Sequence, residues 1–454
     1  LRNIALIGGG GLRTPLLIHG LTQAQPTLQI DELRIYDIDA SRAEIMARLG
    51  RQIVRNAGVA LTITTRPTIA EAAENVEFVL SSLRVGGMAA RARDERMAIE
   101  HGFAGQETTG PGGIAMALRT VPVTLEHARI IEQVAPDAWY INFTNPAGLI
   151  TQALSQHTRL KVIGICDTPA ELFHRVAAAL GEPLENVFCD YAGLNHLGWV
   201  RRVMVGGRDV TQQLLENDKL LRGLYSADLF DPALIRALGL LPTEYLFFYY
   251  SQRKAYRNQL KAGSTRGAEL ERMNAGLFQE MQSQSSGAAL TTYRNYLNQR
   301  NASYMKLEGE AGSAFSNEAE PDDPFEQATG YHRIAVDVMT GLLSDAPKQV
   351  VVNVRNNGAI EDLDEADIVE VPCAIDRSGP HATRTGRLPD SVRGLVLAVK
   401  AYERTAIRAA LEKSSELAKL AMLEYPIIGQ WEPAKELAHA LEAAQPGLFG
   451  EARK

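Results

Sequence analysis

The sequence predicts an α/β protein, with an N-terminal Rossmann-type, doubly wound parallel sheet and a C-terminal α+β domain dominated by helix. Three observations predict it. The apolar run Ile4-Ala5-Leu6-Ile7 leads directly into four glycines, Gly8 to Gly11. A second strand-like run, Glu32 to Tyr36, closes on an acid, Asp37. Strand-like runs then alternate with helical periodicity as far as Asp167, the pattern of a parallel sheet with crossover helices.

Ile4 to Ile7 reads as a strand buried on both faces, because its apolar character is uninterrupted. Pro15 opens a helix whose apolar positions are Leu16, Leu17 and Leu21. Strand, glycine turn, helix, strand and acid follow the order of a dinucleotide-binding βαβ unit. Further strands are expected at 76–80, 139–143 and 161–165, and helices at 124–134 and 149–157. Ligands of such sheets sit beyond the carboxyl ends of the strands, and Gly8, Asp37, Asn145 and Cys166 all fall there. After about residue 195 long helices are expected at 243–260 and 267–281, with strands at 349–354 and 368–371. The stretch 392–444 is mostly helical in pattern, with a break near Pro426, and 309–323 reads as a mobile loop. The expected domains are 1–195 and 196–454.

The 454 residues suffice for two or three domains. Apolar residues make up 45% and charged residues 22%, which argues against a disordered chain, a collagen or a coiled coil. Lys plus Arg number 47 against 54 Asp plus Glu, so the net charge of −7 is not the footprint of a nucleic-acid binder. No apolar run approaches the ~18 residues of a membrane span. Leu1-Arg2-Asn3 shows no signal-peptide pattern, and Cys166, Cys189 and Cys373 are too few for a disulfide framework. A cytoplasmic location is the expectation.

The glycine turn carries the sharpest chemistry. Gly8 and Gly10 fill the first two places of G-x-G-x-x-G, and Arg13 stands in the third. Such glycines let the backbone approach a pyrophosphate at a helix N-terminus; the plain alternative is a structural turn. Asp37 suits the ribose hydroxyls of NAD, while Arg42 nearby leaves the 2′-phosphorylated cofactor open. Cys166 and His196, the latter in a Gly/Asn-rich loop, are each more often structural, but together they suit a transition metal. Glu107 is the only charged residue of 105–113, a stretch expected to be a turn rather than regular structure. Arg84 and Arg91 suit an anionic group such as phosphate; the alternative is ion pairing with Asp94 and Glu95. Tyr245 and Tyr249 share a helix face at i, i+4 spacing, more often a core feature. Arg266 follows in the same region.

With these residues in view, the chain resembles the NAD-dependent glycoside hydrolases of family 4 over its full length. The resemblance rests on the glycine turn, Arg84-Val85-Gly86-Gly87, the loop at 105–113 and Asn145-Pro146. It continues through Cys166-Asp167-Thr168-Pro169, Gly193-x-Asn195-His196 and Asn353-x-x-Asn356-x-Gly358. It implies a redox elimination: oxidation of the sugar at C3 by NAD⁺, removal of the C2 proton, loss of the C1 substituent, addition of water and return of the hydride. It also implies a divalent metal, manganese above all, as Lewis acid. Residue by residue, Cys166 and His196 match the metal ligands and Tyr245 the C2 base, with Tyr249 as fallback. Asp167 matches the group that protonates the leaving oxygen in α-specific members. Asn145, Glu107 and Arg266 match substrate-contacting positions, with Arg84 and Arg91 beside them. Gly8 to Gly11, Leu12, Arg13, Asp37, Arg42 and Asn145 are the positions expected at the cofactor.

Two departures bear on specificity. Leu12-Arg13-Thr14 stands where the family turn continues Ser-Thr, so Arg13 is placed to touch the pyrophosphate or a sugar phosphate. Asn301-Ala302-Ser303-Tyr304-Met305 replaces the common Gly-Gly-x-Tyr-Tyr-Ser. The expected substrate is a 6-phospho-β-glucoside, with a 6-phospho-α-glucoside or an unphosphorylated sugar as alternatives. No nucleic acid or membrane partner is expected, and a homodimer or homotetramer is. The overall plan expected is that of the lactate and malate dehydrogenases. A plain NAD-dependent dehydrogenase of that type is the competing reading.

Overall fold

The computed structural model describes residues 2–225, 229–303, 323–326 and 329–450. Tyr304, Met305 and the expected loop at 309–323, Asp323 apart, lie outside the described residues.

Thirteen strands form one sheet: β1 (Arg2–Ile7), β2 (Ile30–Tyr36), β3 (Thr62–Thr65), β4 (Phe78–Ser81), β5 (Trp139–Asn142), β6 (Lys161–Gly164), β7 (Val187–Leu194), β8 (Leu197–Val205), β9 (Arg208–Asp209), β10 (Leu241–Pro242), β11 (Lys348–Arg355), β12 (Ile368–Asp376) and β13 (Gly379–Ala382). Their order is β10-β8-β7-β12-β11-β6-β5-β4-β1-β2-β3, with β13 on β12 and β9 on β8. From β3 to β6 every pairing is parallel, in the order 3-2-1-4-5-6 of a dinucleotide-binding sheet. From β6 onward the sheet turns antiparallel, joined through the single pair Asn353↔Gly164.

The parallel half forms as expected. Ile4, Ala5, Leu6 and Ile7 are all buried, because helices cover both faces of such a sheet. The helix Thr14–Gln23 has Pro15 in its first turn, where a missing N–H costs nothing. Asp39 caps the helix Ala40–Ala57 by accepting from the Arg42 N–H, and Gly58 ends it in the left-handed region at φ 66°.

Several expectations change. The 105–113 stretch is irregular only to Thr109; Gly110 to Gly113 make the first turn of the 25-residue helix Gly110–Val134. The reason is close approach. A Cβ at Gly112 would lie 2.2 Å from the Gln106 carbonyl oxygen, and one at Gly113 2.1 Å from that of Thr108. These glycines admit the preceding loop against the helix rather than breaking it. The expected helix at 243–260 breaks at Ser251 (φ −129°, ψ 30°), leaving a short turn Glu244–Leu246 and helices Phe247–Tyr250 and Gln252–Ala262. That at 267–281 divides at Gly276 into Arg266–Asn274 and Leu277–Ser283. The C-terminal helices are Asp390–Glu412, Ser415–Glu424 and Trp431–Ala444, with the break at Pro426 present.

The position 195/196 falls in the two-residue turn joining β7 to β8, and the sheet is continuous across it. One hydrophobic cluster likewise runs from Ile4 in β1 through Trp199 in β8 to Leu441 in the last helix. No helix among the described residues is long and apolar enough to cross a membrane.

Candidate active site

The carboxyl ends of β1, β2 and β4 shape the first wall. Gly8 sits at φ 84°, and a Cβ there would lie 2.4 Å from the Ser82 carbonyl oxygen. The Gly10 N–H donates to Asp37 Oδ2 at 2.8 Å, and Thr14 Oγ1 donates to the Gly9 carbonyl at 2.9 Å. The turn therefore has a fixed shape that no side chain fills, and Gly11 lies open beyond it, followed by half-buried Leu12. Asp37 also accepts from the Asp39 N–H at 2.9 Å. Ile38, next to it, is 95% exposed, an apolar surface at the edge where a nucleotide base would lie. Arg42 is occupied elsewhere: it pairs with Asp39 at 3.2 Å and covers the Phe278 ring at 4.5 Å.

Arg13 leaves the turn toward the second strand end. Its guanidinium lies 4.1 Å above the Tyr331 ring, and the Tyr331 hydroxyl is 4.0 Å from Cys166 Sγ. The Cys166 thiol donates to Thr168 Oγ1 at 3.4 Å. Burial, then the charges of Glu370 and Asp167, push this thiol well up, so a bound cation is what would release its proton. Burial also raises Asp167 above the usual carboxylate range, against the pull of Arg13 and Arg300. Glu171, one turn further on, is driven higher still by burial and by Asp167.

His196 enters from the antiparallel half, in the β7–β8 turn, at φ 60°. Its ring stacks on Tyr245 with centroids 3.7 Å apart and planes 5° apart. Burial pushes its imidazolium down to about 3, so the ring is neutral, the form that ligates a cation. Among the described residues, buried Nδ1 has no hydrogen-bond partner, and neither does buried Asn145 Oδ1. Orphaned acceptors are costly in an interior and fit a cation-binding site. No group of three or more His, Cys, Asp or Glu side chains is gathered among the described residues, so Cys166 and His196 would need water or substrate oxygens to complete a shell.

A third wall is made of paired charge. Glu107 contacts Arg84 Nη1 at 2.5 Å and Arg91 Nη1 at 2.9 Å. Against the desolvation that burial imposes, the two guanidinium groups hold its carboxyl well below the usual range. Arg91 also bonds Glu95 at 2.8 Å, and Glu95 accepts from the Gly267 N–H at 2.6 Å, so the arginine wall is tied to the helix starting at Arg266. Arg266 itself donates to Ser303 Oγ at 2.6 Å and to the Arg300 carbonyl at 2.8 Å. Of the ion pairs weighed for Arg84 and Arg91, that with Glu95 is present, while Asp94 pairs with Arg119 at 2.7 Å.

Tyr245 and Tyr249 part company. Tyr249 accepts or donates at 2.9 Å to the Tyr425 hydroxyl, which also accepts from the Gly110 N–H at 3.0 Å. Tyr245 lies in the turn Glu244–Leu246 and Tyr249 in the helix Phe247–Tyr250 that follows, so the two hydroxyl-bearing rings meet different partners although both lie near His196. A small cavity of about 20 Å³, room enough for a water, lies between His196, Asn195, Thr109, Tyr249, Tyr425 and Glu403.

Sequence reasoning missed Tyr331, Glu171 and Glu370. Nothing local marks Tyr331. Glu370 had a signal: an acid inside the apolar run Ile368 to Val371.

A doubly wound nucleotide-binding sheet whose strand ends gather a thiol, a neutral imidazole and a stacked tyrosine defines an enzyme of cofactor-assisted chemistry. Residues 3–182 match the family model "Family 4 glycosyl hydrolase", and residues 191–428 match "Family 4 glycosyl hydrolase C-terminal domain". The chain belongs to glycosyl hydrolase family 4. It is 32% identical to a probable 6-phospho-beta-glucosidase of Bacillus subtilis, covering 99% of this chain and 98% of the other. Its fold matches the 6-phospho-beta glucosidase of Thermotoga maritima, solved with manganese, NAD⁺ and glucose-6-phosphate, at TM-score 0.81 and 29% identity, covering 98% of each chain. A lactate dehydrogenase from a deep-sea metagenome library shares the fold alone, at TM-score 0.53 and 12% identity over 90% of this chain and 99% of the other.

Proposed function

We propose that this chain is a 6-phospho-β-glucosidase that uses NAD and a divalent metal, manganese foremost, in a redox elimination. The observation that carries the reading is the stack of His196 on Tyr245, with Tyr331 lying 4.0 Å from Cys166 Sγ and within electrostatic reach of Tyr245. Bound NAD supplies the hydride acceptor for C3, and the metal polarises the C2 and C3 oxygens.

The chain's own residues do the rest. Gly8 to Gly11 and Leu12 line the pyrophosphate, Asp37 faces the ribose hydroxyls, and Asn145 lies between cofactor and sugar. With Arg42 engaged by Asp39 and Phe278, the unphosphorylated cofactor is favoured. Cys166 and His196 hold the metal. Tyr245 takes the C2 proton. Asp167, its acidity weakened by desolvation, delivers a proton to the leaving oxygen. Arg84 and Arg91 are largely neutralised by Glu107, so they position hydroxyls through that carboxylate. Arg13 and Arg266 are the cations that meet the 6-phosphate. Residues 1–195 thus hold the nucleotide, and 196–454 bring the base, one metal ligand and the self-association surface. Leu397, Leu411, Leu420, Leu423 and Trp431, exposed on the C-terminal helices, support a homodimer or homotetramer; a monomer by light scattering would remove that part. Three buried free cysteines suit a cytoplasmic setting.

A 6-phospho-α-glucosidase is the second reading, favoured by Asp167, an acid raised by burial directly beside Cys166. The test is nitrophenol release from 4-nitrophenyl 6-phospho-β-glucoside, 6-phospho-α-glucoside and their unphosphorylated counterparts, with and without NAD⁺ and Mn²⁺. Release that needs both additives and prefers the phosphorylated β-glucoside is the expected result. Preference for the α-anomer would select the second reading. NADH accumulating without nitrophenol would overturn both in favour of a dehydrogenase.

A further inference from the structure

Glu370 belongs to no part of the machinery above, yet the motifs around it converge on it. It lies on β12 in a row crossing five strands: Gly164 on β6, Asn353 on β11, Glu370, Gly193 on β7 and Gly198 on β8. It is 1% exposed. Its carboxylate accepts from the Tyr191 hydroxyl at 2.6 Å, from Asn353 Nδ2 at 2.9 Å and from Asn195 Nδ2 at 3.2 Å. No cation is paired with it among the described residues.

The neighbouring glycines open the space for these bonds. A Cβ on Gly198 would lie 1.9 Å from the Tyr191 hydroxyl oxygen, and one on Gly193 2.3 Å from the Leu197 carbonyl oxygen. A Cβ on Gly164 would lie 2.9 Å from that of Asn353. Gly193-x-Asn195-His196-x-Gly198 is therefore built to bring a tyrosine and an asparagine onto one acid, and the residue after that asparagine is His196.

A buried carboxylate without a cation is expensive, and an apolar residue would fill a strand interior more cheaply. What the carboxylate alone provides is acceptor capacity for three donors from separate segments of chain. One donor, Asn195, stands beside His196; another, Asn353, pairs with Gly164, two residues before Cys166. We propose that Glu370 is a positioning residue for the metal site, bonding the turn that carries His196 to β11, which pairs with the end of the strand that precedes Cys166. The inference rests on the metal reading given under Proposed function. It assigns Glu370 no contact with substrate, cofactor or metal.

The test uses the full chain with NAD⁺ present and measures Mn²⁺ affinity from the electron paramagnetic resonance signal of free Mn²⁺. Glu370→Gln keeps the size of the side chain and is expected to weaken Mn²⁺ binding by ~10- to 100-fold, the usual cost of losing an outer-shell partner. NAD⁺ affinity should stay within about 2-fold, and activity should recover at excess Mn²⁺, which a merely structural role would not produce. Asn195→Ala should reproduce the loss, and the double variant should lose little more than either single one, because both cut one link. Should Glu370→Gln fail to fold, Asn195→Ala carries the test from the half-buried end of the bond. Unchanged Mn²⁺ affinity in folded variants would overturn the proposal and leave the metal reading standing. A wild-type chain that binds no Mn²⁺ would remove the metal reading and the proposal with it.

Discussion

The two halves of the sheet contribute to the site by different physical routes. In the parallel half, each site residue follows its own strand: Gly8 after β1, Asp37 after β2, Cys166 after β6. Short-range backbone geometry places them, and the decisive contacts, such as Gly10 to Asp37, join consecutive strands of one βαβ unit. In the antiparallel half, the turn that carries His196 is held by bonds between distant segments, Asn195 to Glu370 and Tyr191 to Glu370, and Tyr245 stacks on that histidine. The first half is a general nucleotide platform. The second is held by side chains as well as by its antiparallel backbone ladders.

Breaking one half should leave the other's ligand in place. The largest effect is expected for Cys166→Ser, which removes the thiolate at the seam. Activity should fall by on the order of 10³-fold or more, the worth of a Lewis acid, while NAD⁺ binding by titration calorimetry is unaltered. Full activity would place Cys166 outside the site. Next comes Tyr245→Phe, expected to slow solvent exchange at the sugar C2 by about 10²-fold or more, as loss of a general base does. Tyr249→Phe should leave that exchange intact and lower stability by about 1 kcal/mol through its lost bond to Tyr425. The reverse outcome would exchange the two roles.

The third prediction concerns pH. Burial, helped by the charge of Arg333, lowers His332 to about 4, against an ordinary value near 6.5. As pH falls through 6.5 the unfolded chain takes up a proton that the folded chain refuses. Stability is therefore full above pH 6.5 and drains away as pH drops toward 4, by up to roughly 3 kcal/mol. Urea midpoints across that range should fall less steeply in His332→Leu; parallel slopes would clear His332 of the effect. A change in folding free energy is also expected for Gly8→Ala, which forces a Cβ against the Ser82 carbonyl at positive φ. It should cost about 1–3 kcal/mol and weaken NAD⁺ while sparing Mn²⁺, the mirror image of Cys166→Ser. Equal NAD⁺ affinity would show the cradle to be looser than its contacts suggest.

The parallel half was legible in the sequence because an apolar strand, a glycine turn and a terminal acid are local statements. The strands expected at 139–143 and 161–165 are β5 and β6 within a residue or two. Expectations failed where the deciding contact came from elsewhere in the chain. Gly110 to Gly113 read as a turn, but in the fold their missing side chains let Gln106 and Thr108 lie against a helix. Tyr245 and Tyr249 read as one helix face, but Tyr245 falls in the turn Glu244–Leu246 ahead of the helix Phe247–Tyr250, and the two rings meet different partners. Glu370 read as nothing beyond a strand residue.

By itself, the sequence determined that there is a dinucleotide-type platform, which residues stand at its strand ends, and which motifs join it to family 4. Those features depend on backbone conformation and on hydrophobic periodicity, both written in consecutive residues. Only the tertiary structure decided that the sheet runs on into an antiparallel half, that His196 lies flat on Tyr245, and that Arg84 and Arg91 meet at Glu107. The first depends on which strands pair and in what register, and that choice is made by burial and hydrogen bonding between residues more than a hundred positions apart, such as Asn195 and Glu370. The other two depend on side chains that loops and helices bring together at separations that follow no helix or strand period.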